Sequence, residues 1–222
     1  KPEHWPIHQF PVIDDQLHIG NMPLTRLAAQ VGQTPFYAYD RNLLDERVTL
    51  LRGVLPAAVK LHYAIKANPM PALVQYLVKQ VDGLDVASLG ELKIALDAGM
   101  DPAEISFAGP GKRQPELAAA IAAGIVINLE SAHELETVAR LGREQNRRPR
   151  VAVRINPDFE LKTSGMKMGG GSKPFGVGAE QAPALLERIG QLDLAFQGFH
   201  IFIRDDAAHQ HDRHRIAAID LG

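Results

Sequence analysis

The stretch Leu61-His62-Tyr63-Ala64-Ile65-Lys66-Ala67-Asn68-Pro69, followed by residues 71–81 and by Leu84-Asp85-Val86-Ala87-Ser88, decides the fold. It reads as a short apolar strand, a turn opened by Asn68-Pro69, a helix with apolar residues three and four apart, and a second strand. The rhythm continues outward. Strand-like runs recur at 105–108, 125–129, 150–155 and 196–203, with helical stretches at 90–98, 115–123 and 132–145. Short continuous apolar runs suit strands covered on both faces, hence a parallel sheet. No G-x-G-x-x-G follows the first strand. An α/β fold of the (β/α)8 barrel type, TIM-like, is therefore favoured over a doubly wound sheet.

Upstream, residues 1–34 carry three prolines before residue 12 and the turn pair Gly20-Asn21. They read as an arm with one extended segment at 16–19 and a short helix at 23–30. Thr34-Pro35-Phe36-Tyr37-Ala38-Tyr39 reads as a strand ending at Asp40, the N-cap of a helix through Leu51. The expected division is therefore 1–34 as arm and 35–222 as barrel.

The 222 residues carry a net charge of −2, with 45% hydrophobic and 23% charged residues, as in an ordinary globular chain. Such a charge argues against a nucleic-acid partner. No apolar run approaches the ~18 residues of a membrane span. Zero cysteine removes disulfides, thiolate metal sites and thiol nucleophiles within these residues, and leaves a cytoplasmic location as the expectation.

In a barrel, chemistry gathers where strands end at their C-termini. That rule selects Lys66, Asp85, residues 109–112, Glu130, Arg154 and residues 200–202. Lysine is costly in a buried strand. Lys66 either snorkels to the strand end or offers an amine able to form a Schiff base. Asp85 is either a solvated strand-end carboxylate or one paired with a cation at the barrel mouth. Ser88, with Glu91 three residues on, already supplies a capping box. Arg154 suits a fixed anion or phenolate, or an ion pair closing the mouth. The glycine-rich run 165–176 either approaches a phosphate or acidic group or is a surface loop. His209-Gln210-His211-Asp212-Arg213-His214 comes near a binuclear metal pattern, but its acid stands one place early, so no metal is expected.

Together these segments resemble the pyridoxal-phosphate-dependent decarboxylases of the alanine-racemase-like fold, the ornithine/diaminopimelate decarboxylase family. The resemblance rests on residues 34–40, 63–69 and 84–92, on Phe107-Ala108-Gly109-Pro110-Gly111-Lys112, on Glu130-Ser131 with Glu134-Leu135, and on Arg154-Ile155-Asn156-Pro157. The Met-Lys-Met-Gly-Gly-Gly run and Gly198-Phe199-His200-Ile201-Phe202 look most like the exosortase- and exopolysaccharide-associated subgroup. The resemblance implies decarboxylation of an amino acid through a Schiff base on Lys66, with pyridoxal 5′-phosphate as cofactor. Asp85, Arg154, His200 and Phe202 then line the cofactor pocket. It also implies a homodimer with a shared active site, a substrate that is a small or carrier-linked amino acid, and an arm that belongs with a C-terminal β domain.

Two departures qualify this. The family's sixth strand carries a second histidine that stacks on the cofactor ring, and here Phe202 stands in that place. The Gly-Ser that should follow is Arg204-Asp205. Residues 216–222 resemble the strand leading into the family's glycine-rich phosphate loop. The sequence is therefore expected to be part of a longer enzyme, with its barrel incomplete. A catalytically silent cofactor-binding relative and an amino-acid racemase on the same fold are the alternatives.

Overall fold

The structure is a computed structural model that describes residues 9–156, 175–204 and 216–221. The chain divides into two compact units, Lys1–Ala57 and Ala58–Gly222.

In the first unit, β1 (Val12–Ile13), β2 (Gln16–Ile19) and β3 (Met22–Pro23) form an antiparallel meander. Its two-residue turns, Asp14-Asp15 and Gly20-Asn21, take φ of 51°, 58°, 58° and 62°, as tight hairpins of this twist require. Helix α1 (Leu24–Val31) follows and ends on Gly32. Helix α2 (Arg41–Val54) is capped by Asp40, which accepts from Asn42 N–H at 2.9 Å and from Gly20 N–H at 3.0 Å. The cap is where the sequence placed it. The expected strand at 34–39 is not: these residues join no ladder, and Pro35 has no N–H to give one.

The second unit alternates strand and helix: β4 (His62–Ala64), α3 (Pro71–Leu77), β5 (Gly83–Val86), α4 (Leu89–Asp97), β6 (Ile105–Phe107), α5 (Gln114–Ala123), β7 (Val126–Leu129), α6 (Ala132–Glu144), β8 (Arg150–Asn156), β9 (Val177–Gly178), α7 (Ala182–Gln191), β10 (Ala195–Arg204) and β11 (Ile216–Leu221). From β4 to β10 the main wall is parallel, in the strictly sequential order β4-β5-β6-β7-β8-β10, with β9 pairing the end of β8. Sequential order is that of a barrel wall, since a doubly wound sheet winds outward from its first strand and then restarts on that strand's other side. The unit is thus a partial TIM-like barrel.

Helix ends follow local chemistry. Ser88 and Ser131 cap α4 and α6, each accepting at 3.2 Å from the N–H three residues on, Glu91 and Glu134. Strand residues Leu84, Val86, Ile105, Phe107, Ile127, Leu129, Val151 and Val153 are buried against Val74, Leu92, Leu117, Leu135 and Leu185 from the helices. Each contributes about 1.5–3 kcal/mol of apolar burial. The core therefore lies between sheet and helices.

β11 departs from expectation. It is a strand, but it pairs antiparallel with β10 rather than continuing the parallel wall. Among the described residues no helix is long and apolar enough to cross a membrane.

Candidate active site at the strand ends

The inner face of the sheet is polar. Strands β5 to β8 each place a polar residue between two apolar ones: Asp85 between Leu84 and Val86, Ser106 between Ile105 and Phe107, Asn128 between Ile127 and Leu129, Arg154 between the buried Val153 and the half-buried Ile155. With side chains alternating across a strand, the apolar residues meet the helices and the polar ones face inward. A chain of contacts then crosses four strands. His62 Nδ1 lies 3.3 Å from Asp85 Oδ1, Ser106 Oγ donates to Asp85 at 2.7 Å, and Asn128 Nδ2 donates to Ser106 at 3.3 Å. Gly83 makes room for this, since a Cβ there would stand 2.4 Å from the His62 ring. Burial pushes the Asp85 carboxyl up, but the His62 hydrogen bond and charge, the Ser106 hydroxyl and the charge of His200 outweigh it. The net effect holds Asp85 below the ordinary carboxylate range.

Above this layer sits Arg154, only 5% exposed. Its Nη1 donates to Glu130 Oε1 at 3.2 Å, and its guanidinium lies 4.8 Å from the Phe175 ring centre and 5.6 Å from that of Phe202. Its Nε is buried with no hydrogen-bond partner among the described residues. Lys66 Nζ lies 5.9 Å from the same Phe202 ring centre. Lys66 comes from just after β4 and Phe202 from β10, five strand steps away along the sheet. A flat sheet would hold them about 24 Å apart. The wall is therefore rolled, and the rolling brings Lys66, Phe202 and Arg154 to one place.

Lys66 is not the buried strand residue that the sequence suggested. β4 ends at Ala64, and Lys66 stands exposed in the single 3-10 turn Ile65–Ala67. Tyr63 donates to Asn68 O at 3.1 Å and Asn68 Oδ1 accepts from Met70 N–H at 3.0 Å, so the turn is held from both sides. His200 is half-buried in β10, in register with Arg154 on β8.

Three features escaped the sequence reading. His62 lies in a run that reads as an apolar strand. Glu130 reads as a strand end within a family motif, yet it collects Arg154 and two backbone N–H groups. Lys112 reads as part of the 109–112 strand end, with nothing local to signal its burial. Its side chain is 1% exposed, and its Nζ lies 3.0 Å from Glu134 and donates to the carbonyls of Gly109 and Asn128. Burial is the main influence on Glu134 and raises its carboxyl, against the pull of Lys112 and of the Glu130 N–H. The polar residue at the centre of each strand was the signal available for the inner face. The glycine-rich run up to 174 and the histidine cluster 209–214 lie outside the described residues.

Comparison with known proteins agrees with this geometry. Residues 41–213 match the family described as "Pyridoxal-dependent decarboxylase, pyridoxal binding domain". The chain is 35% identical over 172 residues to the L-glutamyl-[BtrI acyl-carrier protein] decarboxylase of Niallia circulans, covering 77% of this chain and 40% of that protein. It is 36% identical over 193 residues to the diaminopimelate decarboxylase of Aquifex aeolicus, covering 86% and 46%. The crystal structure of diaminopimelate decarboxylase from M. jannaschii in complex with L-lysine superposes with a TM-score of 0.79 at 26% identity, over 87% of this chain and 47% of that one. The chain thus spans less than half the length of these relatives. With a family match across most of its residues and a rolled parallel wall to carry it, the chain belongs to the pyridoxal-binding domain family of the pyridoxal-dependent decarboxylases.

Proposed function

We propose that the protein acts in the pyridoxal-phosphate-dependent decarboxylation of an amino acid, with Lys66 as the residue that holds the cofactor. The observation that carries this reading is the convergence of Lys66 Nζ, the Phe202 ring and the Arg154 guanidinium from strands distant in the sheet. A flat, anionic pyridine ring asks for an amine, a buried donor and an aromatic face. The residues fit: Lys66 is exposed and able to react, and Arg154 keeps a buried Nε–H with no partner among the described residues. Phe202 offers its face, which stacks without titrating.

When bound, pyridoxal phosphate supplies the sink for the electrons left as CO₂ departs. The chain's own residues do the rest. Lys66 Nζ holds the cofactor and then carries a proton at the reacting end of the site. Arg154, always charged, holds an oxygen of the ligand and never gives up its proton. Asp85, kept ionised by His62 and Ser106, favours a positive charge facing it across the inner layer. His200 and Phe202 line the same pocket.

The substrate is read as an α-amino acid, free or carrier-linked. The relative acting on an acyl-carrier-protein-bound glutamyl group supports the carrier-linked form. The exopolysaccharide-associated subgroup is proposed on residues 166–171 and 198–202, and a homodimer on the family resemblance. Phe202 in place of a titratable ring favours one second reading, a cofactor-binding relative without turnover.

The test is direct. The chain is mixed with pyridoxal phosphate and scanned for a yellow absorbance band that borohydride removes, leaving the label on the Lys66 peptide. Lys66→Ala is expected to lose both band and label. A folded wild-type chain that stays colourless overturns the reading. CO₂ release across free and carrier-linked amino acids separates the decarboxylase from the silent relative.

A further inference from the structure

We infer that Glu130 is a positioning residue that holds Arg154 in place for the cofactor; this rests on the reading of the site just given. Three segments meet on its one carboxylate. Oε1 accepts from Gly109 N–H at 2.6 Å and from Arg154 Nη1 at 3.2 Å. Oε2 accepts from Gly176 N–H at 2.8 Å and lies 3.4 Å from the same Nη1. Gly109 follows β6, Arg154 lies in β8 and Gly176 precedes β9, while Glu130 itself closes β7 at 5% exposure. Its own backbone N–H is fixed by Glu134 Oε2 at 2.8 Å.

Among the described residues, the groups hydrogen-bonded to the Glu130 carboxylate are all donors, so only an acceptor on both oxygens satisfies them. A glutamine would turn its NH₂ toward one of these donors and leave it unmet. Glu130 takes up Nη1, and Phe175 and Phe202 flank the guanidinium, so the fork is set before any ligand arrives. The buried Nε–H is left over for that ligand. A donor whose rotamer is already fixed loses less entropy on binding. Glu130 also ties down Gly176, whose φ of +68° turns the chain so that Phe175 lies over Arg154. A Cβ on Gly176 would come 2.8 Å from the Arg154 carbonyl oxygen, which shows how tightly this turn is drawn in.

The test is a double-mutant cycle read in cofactor affinity. The full chain and its Glu130→Gln, Arg154→Lys and doubly substituted forms are titrated with pyridoxal phosphate by calorimetry, with thermal melts alongside. Each single variant is expected to bind about tenfold or more weakly, and the double variant no more weakly than the weaker single. Additive losses overturn the inference, because Glu130 would then act independently of Arg154. So does a Glu130→Gln form that melts lower yet keeps wild-type affinity, the mark of a merely structural role. If Glu130→Gln does not fold, Glu130→Asp takes its place in the same cycle, and wild-type affinity in that form is equally fatal. A folded wild type that binds no pyridoxal phosphate overturns the reading of the site and the inference with it. A wild type that binds, with variants that break the cycle, overturns the inference alone.

Discussion

Replacing Lys112 by methionine keeps most of the side chain's volume and removes its charge. In the native chain that charge lies inside the protein, at 1% side-chain exposure, 3.0 Å from a Glu134 side chain only 9% exposed. Methionine can still pack near Phe107, which Lys112 Nζ approaches at 5.7 Å from the ring centre. The cavity contribution is therefore small, and the cost is that of a buried carboxylate left without its counter-charge, plus two carbonyls that lose their donor. Breaking one side of a buried pair costs about 3–5 kcal/mol. At about 2–4 °C per kcal/mol for a unit of this size, the melting temperature should fall by about 6–20 °C. The pH dependence gives a second handle. Glu134 already has a raised carboxyl in the folded state, and losing Lys112 raises it further. A folded pKa above the unfolded one means that the folded state holds the proton more tightly. The stability deficit of Lys112→Met should therefore shrink as pH falls through the raised folded pKa toward the ordinary carboxylate range. Calorimetric melts across that pH range measure both effects. Adding Glu134→Gln, which removes the stranded charge and keeps an acceptor for the Glu130 N–H, should return more than half of the loss. A single variant that melts like wild type, or a double variant whose losses simply add, would show that the buried Lys112–Glu134 pair does not hold the fold together.

Asp85 predicts the opposite pH sign. Its folded pKa is lowered, so its contribution is present above the ordinary carboxylate range and is lost as pH falls through the lowered folded value. His62→Phe should move acid unfolding to higher pH, and an unchanged acid limb in fluorescence-monitored titration would count against the pairing. Gly176→Ala should cost about 1–3 kcal/mol from its left-handed backbone, with further loss from the contact at the Arg154 carbonyl, measured by urea unfolding.

The elements of this fold were legible because each β-α unit repeats one local pattern. Ser88 and Asp40 announced their helices through side-chain chemistry that needs no tertiary partner. What failed were readings that depended on neighbours. Residues 34–39 have strand-like composition but no ladder to join. β11 was legible as a strand, while its antiparallel direction is set by its pairing with β10. Lys66 was found by its place after a strand, although the chain turns into a 3-10 helix first and leaves it exposed. The roles of Glu130 and Lys112 arise only when β6, β7 and β8 come into register, which no local window contains. The inner polar layer was missed for a different reason. Its alternation is visible in Leu84-Asp85-Val86 and Ile127-Asn128-Leu129, but the expectation of strands apolar on both faces hid it.

That alternation separates two inventories of residues. Those fastening strands to helices point outward, and those facing the site point inward, so neighbours in sequence answer to different demands. A lineage can therefore rewrite the inner face while the fastening stays intact. Changes on different strands that share no contact should combine nearly independently. The carboxylates after β7 are the exception: Glu130, just past the strand, holds Arg154 of the inner face and the Gly109 and Gly176 backbone together, and Glu134 in the first turn of α6 holds Lys112 and the Glu130 N–H. Asp85, Ser106 and Asn128 share contacts and so must change together, and change is slowest where β7 ends.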